Sequence, residues 1–149
     1  MEQTLVLVKP DGVQRGLIGP IIARLEQRGL KLVGLKLMQM SAELAGAHYA
    51  EHQGKDFYPQ LIAFITSGPV VAMVWQGGDA IAAVRQSMGA TRPVDSPPGS
   101  IRGDFGLEVG RNLVHGSANA GSALREVSLF FSAGELVEWR RDAERWISE

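Results

Sequence analysis

Apolar and polar positions along the chain alternate in patterns that predict a small sheet covered by helices. Three β-rich runs, Thr4–Lys9, Leu30–Met40 and Pro69–Gln76, are expected to form strands, and each is followed by a turn or a helix cap. Two amphipathic stretches are expected to form helices. The first begins at Gly19–Pro20 and ends at Gly29, and the second begins at its N-cap Asp79 and ends near Met88.

The remaining segments predict an insert, a long loop and a tail. Ser41–Ala50 and Tyr58–Thr66 have the character of two short helices and predict a helical hairpin inserted between strands. A short helix is expected at Asn119–Leu124, a last strand at Glu126–Phe131, and a tail that is helical in two pieces over Ala133–Ile147.

Without these additions, the predicted order is strand, helix, strand, strand, helix, strand. This βαββαβ order predicts an α+β fold, a ferredoxin-like α/β sandwich with a four-stranded antiparallel sheet, in one domain over residues 1–149. The segment Gly89–Val114 is rich in proline, glycine and serine and is expected to be irregular. Because a loop longer than about 15 residues in a compact domain is usually functional or disordered, and this one ends at His115, we expect it to be functional.

Composition narrows the classes of function. A formal net charge of -1 gives no general attraction to nucleic acid or anionic membranes, so any basic patch must be local. No apolar run approaches the roughly 20 residues needed to cross a bilayer, and Glu2 and Lys9 flank the first run too closely for a secretory signal. Cysteine is absent, which fits a reducing compartment. We therefore expect a cytoplasmic location with no membrane association.

The most promising nucleophile is His115, in the stretch Arg111–Ser117. Imidazole has an unperturbed pKa near 6.5 and is largely unprotonated at neutral pH, which suits a transient covalent carrier. Gly116 leaves room for a phosphate, while Ser117 and Glu126 are placed to orient the ring. A lone histidine is more often structural, so this interpretation depends on what surrounds it.

Phosphate binding must come from side chains, because the chain has neither a GxxxxGK[ST] nor a GxGxxG motif. Lys9, Arg85 and Arg102 are candidates from their positions at a strand end, in a helix and in the long loop. Each of them taken singly is more often a solvated surface charge.

At this point the chain resembles a known family. Asn112–Ser117, followed by Glu126, is similar to the active-site signature of nucleoside diphosphate kinases. Further similar segments occur in family order and spacing: Thr4–Arg15 (TLVLVKPDGVQR), Phe64–Trp75 (FITSGPVVAMVW), Gly89–Pro93 (GATRP) and Gly99–Phe105 (GSIRGDF). The resemblance covers essentially the whole chain.

The resemblance implies an enzyme that moves a γ-phosphate from a nucleoside triphosphate to His115 and then to a nucleoside diphosphate. It implies a catalytic set and a nucleotide-binding set: His115, Glu126, Ser117 and Lys9 for catalysis, and Lys9, Arg85, Thr91, Arg102, Asn112, Phe57 and Tyr49 for the nucleotide. Within the second set, Phe57 is expected to stack on the base, which suits a broad nucleotide range because every base has a π-face.

The same resemblance implies Mg²⁺ and a homo-oligomer. No acidic cluster suggests a metal site built by the protein, so we expect Mg²⁺ to arrive with the nucleotide. A hexamer is favoured and a tetramer is the alternative, and no nucleic acid is required.

Two positions depart from the family pattern. Ala118 follows His-Gly-Ser where the family usually has aspartate, and Gly121 stands where it often has glutamate. Asn119 is the expected replacement for the lost helix cap. These changes motivate an alternative, a catalytically impaired nucleotide- or nucleic-acid-binding ferredoxin-like module.

Overall fold

A four-stranded antiparallel sheet forms the centre of the structure, a computed structural model that describes residues Met1–Glu149. The strands are β1 (Glu2–Val8), β2 (Lys31–Met38), β3 (Val70–Gly77) and β4 (Val114–Gly116), in the spatial order β2-β3-β1-β4. All three pairings are antiparallel. The predicted ferredoxin-like α+β sandwich is confirmed.

Seven α-helices surround the sheet: α1 (Pro10–Gln14), α2 (Ile18–Gln27), α3 (Ala42–His48), α4 (Tyr58–Ile65), α5 (Ala80–Met88), α6 (Ile101–Phe105) and α7 (Ala120–Phe130). The pair α3 and α4 is the predicted insert between β2 and β3. The longest of these helices has 11 residues, and no helix combines the length and apolar character that crossing a bilayer requires.

Both faces of the sheet are buried, which explains why β1 and β3 are nearly continuous apolar runs. Alternate residues of β1 point to opposite faces. Val6 and Val8 join the core shared with α2 and α5, while Leu5 and Leu7 join the core beneath α3, α4 and α7. The central strand β1 is therefore fixed by packing on two sides, and β4 lies beside it.

The structure corrects the predicted last strand. Glu126–Phe131 is not a strand, because Glu126–Phe130 is the second half of α7, which buries Ala123, Glu126 and Phe130 on one side. The fourth strand is instead Val114–Gly116, which carries His115 and is too short to show a periodic pattern. The segment that carries Glu126 is thus a helix packed over the sheet rather than a strand within it.

Two smaller differences concern the turn after β1 and the long segment before β4, whereas the tail agrees with the prediction. The turn predicted after the first strand run is replaced by the start of α1 at Pro10–Gly12, since proline is well suited to the first helical position. The long segment Gly89–Val114 is less irregular than predicted, because it contains α6 and 3₁₀ turns at Pro93–Asp95 and Val109–Arg111. The tail has two helical pieces as predicted, both 3₁₀.

Candidate active site

His115 lies on β4 opposite Leu7 of the central strand, with its ring partly exposed. Its Nε2 is 2.8 Å from Oε1 of Glu126, which α7 brings over the strand. The same carboxylate oxygen accepts a hydrogen bond of 2.9 Å from Oγ of Ser117. The predicted triad of His115, Ser117 and Glu126 is therefore brought together, with Ser117 fully buried.

The charge of Glu126 determines which nitrogen of His115 is free. Burial raises the pKa of Glu126, but hydrogen bonds from His115 and Ser117 lower it, and the resulting pKa lies below the usual value. The carboxylate is thus ionised at neutral pH and can only accept, so Nε2 of neutral His115 carries the proton. Nδ1 then holds the free lone pair of the ring and is the nitrogen available to bond an electrophile.

A hydrogen-bonded group of polar side chains joins the end of β1 to the long loop. Nζ of Lys9 donates to Oδ1 of Asn112, and Nδ2 of Asn112 donates to the carbonyl oxygen of Thr91 at 3.0 Å. Burial lowers the pKa of Lys9 to about 8, although the carboxylate of Asp11 opposes this shift. Lys9, Thr91 and Asn112 therefore form one cluster, in which Lys9 is still mostly cationic at neutral pH.

Arg102 is buried and holds the two ends of the loop together. Its guanidinium donates to four backbone carbonyls: Nε to Asn112, Nη1 to Gly89 and Ala90, and Nη2 to Val114 at 2.7 Å. Burial and the charge of Arg85 lower its pKa to about 10, so it remains cationic at neutral pH. Arg102 is thus a structural brace as well as a source of positive charge.

Arg85 is exposed on α5 and donates from Nη1 to the carbonyl oxygen of Gly116, 3.4 Å away. This contact places its charge one residue from His115. All three predicted cations, Lys9, Arg85 and Arg102, therefore bond to residues of the loop end or of β4.

A line of aromatic rings connects His115 to the helical insert. The ring centroids are 4.7 Å apart from His115 to His48, 4.6 Å from His48 to Tyr49, 6.2 Å from Tyr49 to His52, and 5.3 Å from His52 to Phe57. Phe57 is 48% exposed, so its ring is available for contact with a ligand. Burial and the charge of Glu126 raise the pKa of Tyr49 to about 12, so its hydroxyl stays protonated.

No sequence pattern points to His48, which packs edge-on against the ring of His115. It is only 3% exposed, neither of its ring nitrogens has a hydrogen-bond partner, and burial lowers its pKa to about 3. His48, His115 and Glu126 each offer one ligand atom within 4.8 Å of the others. Two imidazoles and one carboxylate do not suit Mg²⁺, which prefers oxygen ligands in octahedral geometry.

The two departures from the family pattern leave the triad intact. Asn119 is the N-cap of α7 as predicted, because its Oδ1 accepts the backbone N–H of Ser122 at 2.9 Å. Gly121 lies in the first turn of the helix, where a Cβ would meet only the Asn119 side chain, at 3.5 Å. Neither Ala118 nor Gly121 displaces Glu126 from His115.

Comparison with known proteins gives one consistent result. The family described as Nucleoside diphosphate kinase matches residues 2–136. A nucleoside diphosphate kinase of Synechococcus sp. is 60% identical over 149 residues, and one of Carboxydothermus hydrogenoformans is 58% identical; each alignment covers both chains completely. The structure of a halophilic nucleoside diphosphate kinase from Halobacterium salinarum in complex with CDP superposes with a TM-score of 0.97 at 58% identity, covering 99% of each chain.

Proposed function

The chain belongs to the nucleoside diphosphate kinase family and transfers the γ-phosphate of a nucleoside triphosphate to a nucleoside diphosphate through a phosphohistidine, and from this premise we propose that His115 is the carrier. The observation that supports this assignment is the 2.8 Å contact between Nε2 of His115 and Glu126. Because that contact occupies Nε2, Nδ1 of the partly exposed ring is left to attack the phosphorus. The alternative of a binding module that has lost catalysis is not supported.

In the first half-reaction, the lone pair of Nδ1 forms a bond to the γ-phosphorus. The bond from that phosphorus to the β,γ-bridging oxygen breaks, and its electron pair leaves with the nucleoside diphosphate. The ring gains positive charge, which the carboxylate of Glu126 stabilises through the Nε2 proton, and Ser117 keeps that carboxylate in place. In the second half-reaction a terminal oxygen of the acceptor diphosphate attacks the phosphorus, and the P–N electron pair returns to Nδ1.

The nucleotide would lie between the loop and the helical insert. Lys9 and Arg85 would contact its phosphates, and Arg102 would add charge from its braced position behind them. Asn112 and Thr91 would position the sugar and phosphates, while Tyr49 would lie near the phosphohistidine. Phe57 would stack on the base, which its 48% exposure permits.

Kinases of this kind use a divalent cation together with the nucleotide, and we assign that role to Mg²⁺. The metal would enter as part of the substrate, bridging phosphate oxygens and reducing their charge. The chemistry of His48, His115 and Glu126 supports this route, since this set does not match the ligands that Mg²⁺ prefers.

We further propose a homo-oligomer, with a hexamer favoured over a tetramer, in the cytoplasm. Exposed apolar side chains support an association surface, because Leu35 and Leu37 of the edge strand β2 are 52% and 65% exposed. Native mass spectrometry distinguishes six copies from four. The absence of cysteine supports a reducing compartment, and cell fractionation tests that location.

The carrier is tested by intact-mass spectrometry at mildly alkaline pH, where phosphohistidine survives. After mixing with ATP and Mg²⁺, the protein should gain one phosphate, and adding GDP should remove it. The His115→Ala variant should gain none, whereas the matched His52→Ala variant should still be phosphorylated. A phosphate that persists in His115→Ala would refute the assignment.

A further inference from the structure

Leu113 has the only positive φ among the non-glycine residues, +75°, and its side chain is completely buried. The N–H of Val114 donates to the carbonyl oxygen of Asn112 at 2.9 Å, across Leu113. A three-residue γ-turn with a positive φ at its centre is rare and strained. The chain therefore adopts an unfavourable conformation two residues before His115.

This turn separates two parts of the candidate site. Asn112, bonded to Lys9, lies on one side of it, and β4 with His115 begins on the other. A change in the turn would therefore move the nucleotide-positioning amide relative to the nucleophile. Strained backbone of this kind persists only where the surroundings impose it.

The contacts of Leu113 identify what imposes the strain. Its carbonyl oxygen accepts the backbone N–H of Lys9 at 2.9 Å, and its own N–H donates to Oδ2 of Asp11 at 3.0 Å. Asp11 lies in the first turn of α1, directly after β1, and is 9% exposed. The helix α1 thus serves to direct one buried carboxylate at the strained residue.

Asp11 is a poor choice if stability alone is considered. Its Oδ1 is buried and has no hydrogen-bond partner, and such an orphaned polar atom is costly. No other side chain accepts the N–H of Leu113. The Asp11 carboxylate leaves one buried oxygen unpaired and yet bonds the one non-glycine residue with a positive φ, Leu113. This combination indicates a functional constraint.

We propose that Asp11 is a positioning residue, whose carboxylate holds the Leu113 turn in its left-handed conformation and thereby sets the distance between Asn112 and His115. The inference rests on the proposed function of His115. It concerns geometry, since Asp11 acts through the backbone and is assigned no contact with the nucleotide.

The test compares three substitutions of Asp11 in the full chain. Asp11→Ala removes the acceptor, Asp11→Asn keeps an oxygen at the same reach without the charge, and Asp11→Glu keeps the charge but displaces the oxygen. The measurement is the single-turnover rate of phosphohistidine formation at saturating MgATP, per folded molecule, with the folded fraction taken from circular dichroism.

We expect Asp11→Ala and Asp11→Glu to slow phosphorylation by about 10- to 100-fold, as for lost positioning contacts elsewhere, and Asp11→Asn to stay within about threefold of the wild-type rate. If Asp11→Ala does not fold, a near wild-type rate in Asp11→Asn together with a slow rate in Asp11→Glu still supports the proposal. A slow Asp11→Asn with a fast Asp11→Glu would overturn the proposal, because charge rather than geometry would then matter. A wild-type rate in Asp11→Ala would also overturn it.

Asp104→Ala is the matched control. Asp104 likewise accepts a backbone N–H from a residue with positive φ in the same loop, Gly99, at 2.9 Å, but that residue is a glycine, for which a positive φ carries little strain. Its rate should stay within about threefold of the wild type, and a loss equal to that of Asp11→Ala would refute a specific role for the Leu113 turn. Failure of the wild-type protein to form phosphohistidine would refute the function of His115 instead.

Discussion

Replacing Glu126 by glutamine tests whether charge at this position, and not only a hydrogen-bond acceptor, speeds phosphorylation of His115. The amide oxygen can still accept from Nε2, so the ring keeps its orientation and Ser117 keeps a partner. A hydrogen bond to a charged group contributes about 1.5–3 kcal/mol, against about 1 kcal/mol for a neutral one. Because the ring becomes positive only as the P–N bond forms, most of this difference is lost in the transition state.

A loss of about 0.5–2 kcal/mol corresponds to a decrease of roughly 2- to 30-fold in the phosphorylation rate. The assay is rapid-quench mixing with saturating MgATP, followed by intact-mass detection at alkaline pH. Glu126→Ala, which also removes the acceptor, should lose about 10- to 100-fold or more. An unchanged maximal rate in Glu126→Gln, with only the apparent affinity for ATP altered, would refute the reasoning.

The same substitution changes the response of stability to acid. The pKa of Glu126 is lowered in the folded protein, so its stabilising contribution is present above the unfolded value of about 4.5 and is lost as the pH falls through the folded value. The wild type should therefore lose thermal stability on acidification more steeply than Glu126→Gln. Melting temperatures of the two proteins that fall in parallel between pH 7 and pH 3 would contradict this expectation.

Three further predictions concern Lys9, Phe57 and Asn119. For the wild type, kcat/KM should fall as the pH rises through about 8, the pKa of Lys9, and this decrease should be absent from the already slow Lys9→Gln variant. Phe57→Ala should raise the KM for purine and pyrimidine nucleotides alike, by about 5- to 150-fold for a loss of about 1–3 kcal/mol of stacking, with no change in melting temperature. Asn119→Ala removes the N-cap of α7 and should destabilise the protein by about 1 kcal/mol, which lowers Tm by about 2–4 °C. Phosphohistidine should still form in this variant. An unchanged Tm would contradict the capping role.

Segments with a clear apolar pattern or a helix cap could be predicted from the sequence, whereas the three-residue strand β4 could not. The first three strands and the helix containing Ile21 and Leu25 follow directly from their apolar patterns. The strand carrying His115 has three residues and shows no pattern, so the sequence predicts the neighbouring β-rich segment as the last strand instead. That segment, around Val127, is helical because a helix buries Ala123, Glu126 and Phe130 on one side.

The candidate site shows the same division. The nucleophile, its serine and its carboxylate are visible as residue types at fixed spacing. His48 lies in an ordinary amphipathic helix, and nothing local indicates that it packs against His115. The strain at Leu113 is also invisible in the sequence, because only the surrounding fold imposes a positive φ on leucine, while glycine or asparagine would normally indicate one.

The brace formed by Arg102 has a consequence for how the loop can vary in length. Its guanidinium, which α6 carries in the middle of the loop, joins Gly89 and Ala90 at one end to Asn112 and Val114 at the other, so the ends stay fixed as long as Arg102 keeps its place. Loop entropy grows only slowly with length, by about 0.6 kcal/mol for each doubling. Residues inserted at an exposed point such as Leu107, which is 74% exposed, should therefore be accommodated without displacing β4. The loop is a natural place to graft a new recognition segment beside an unchanged phosphotransfer centre.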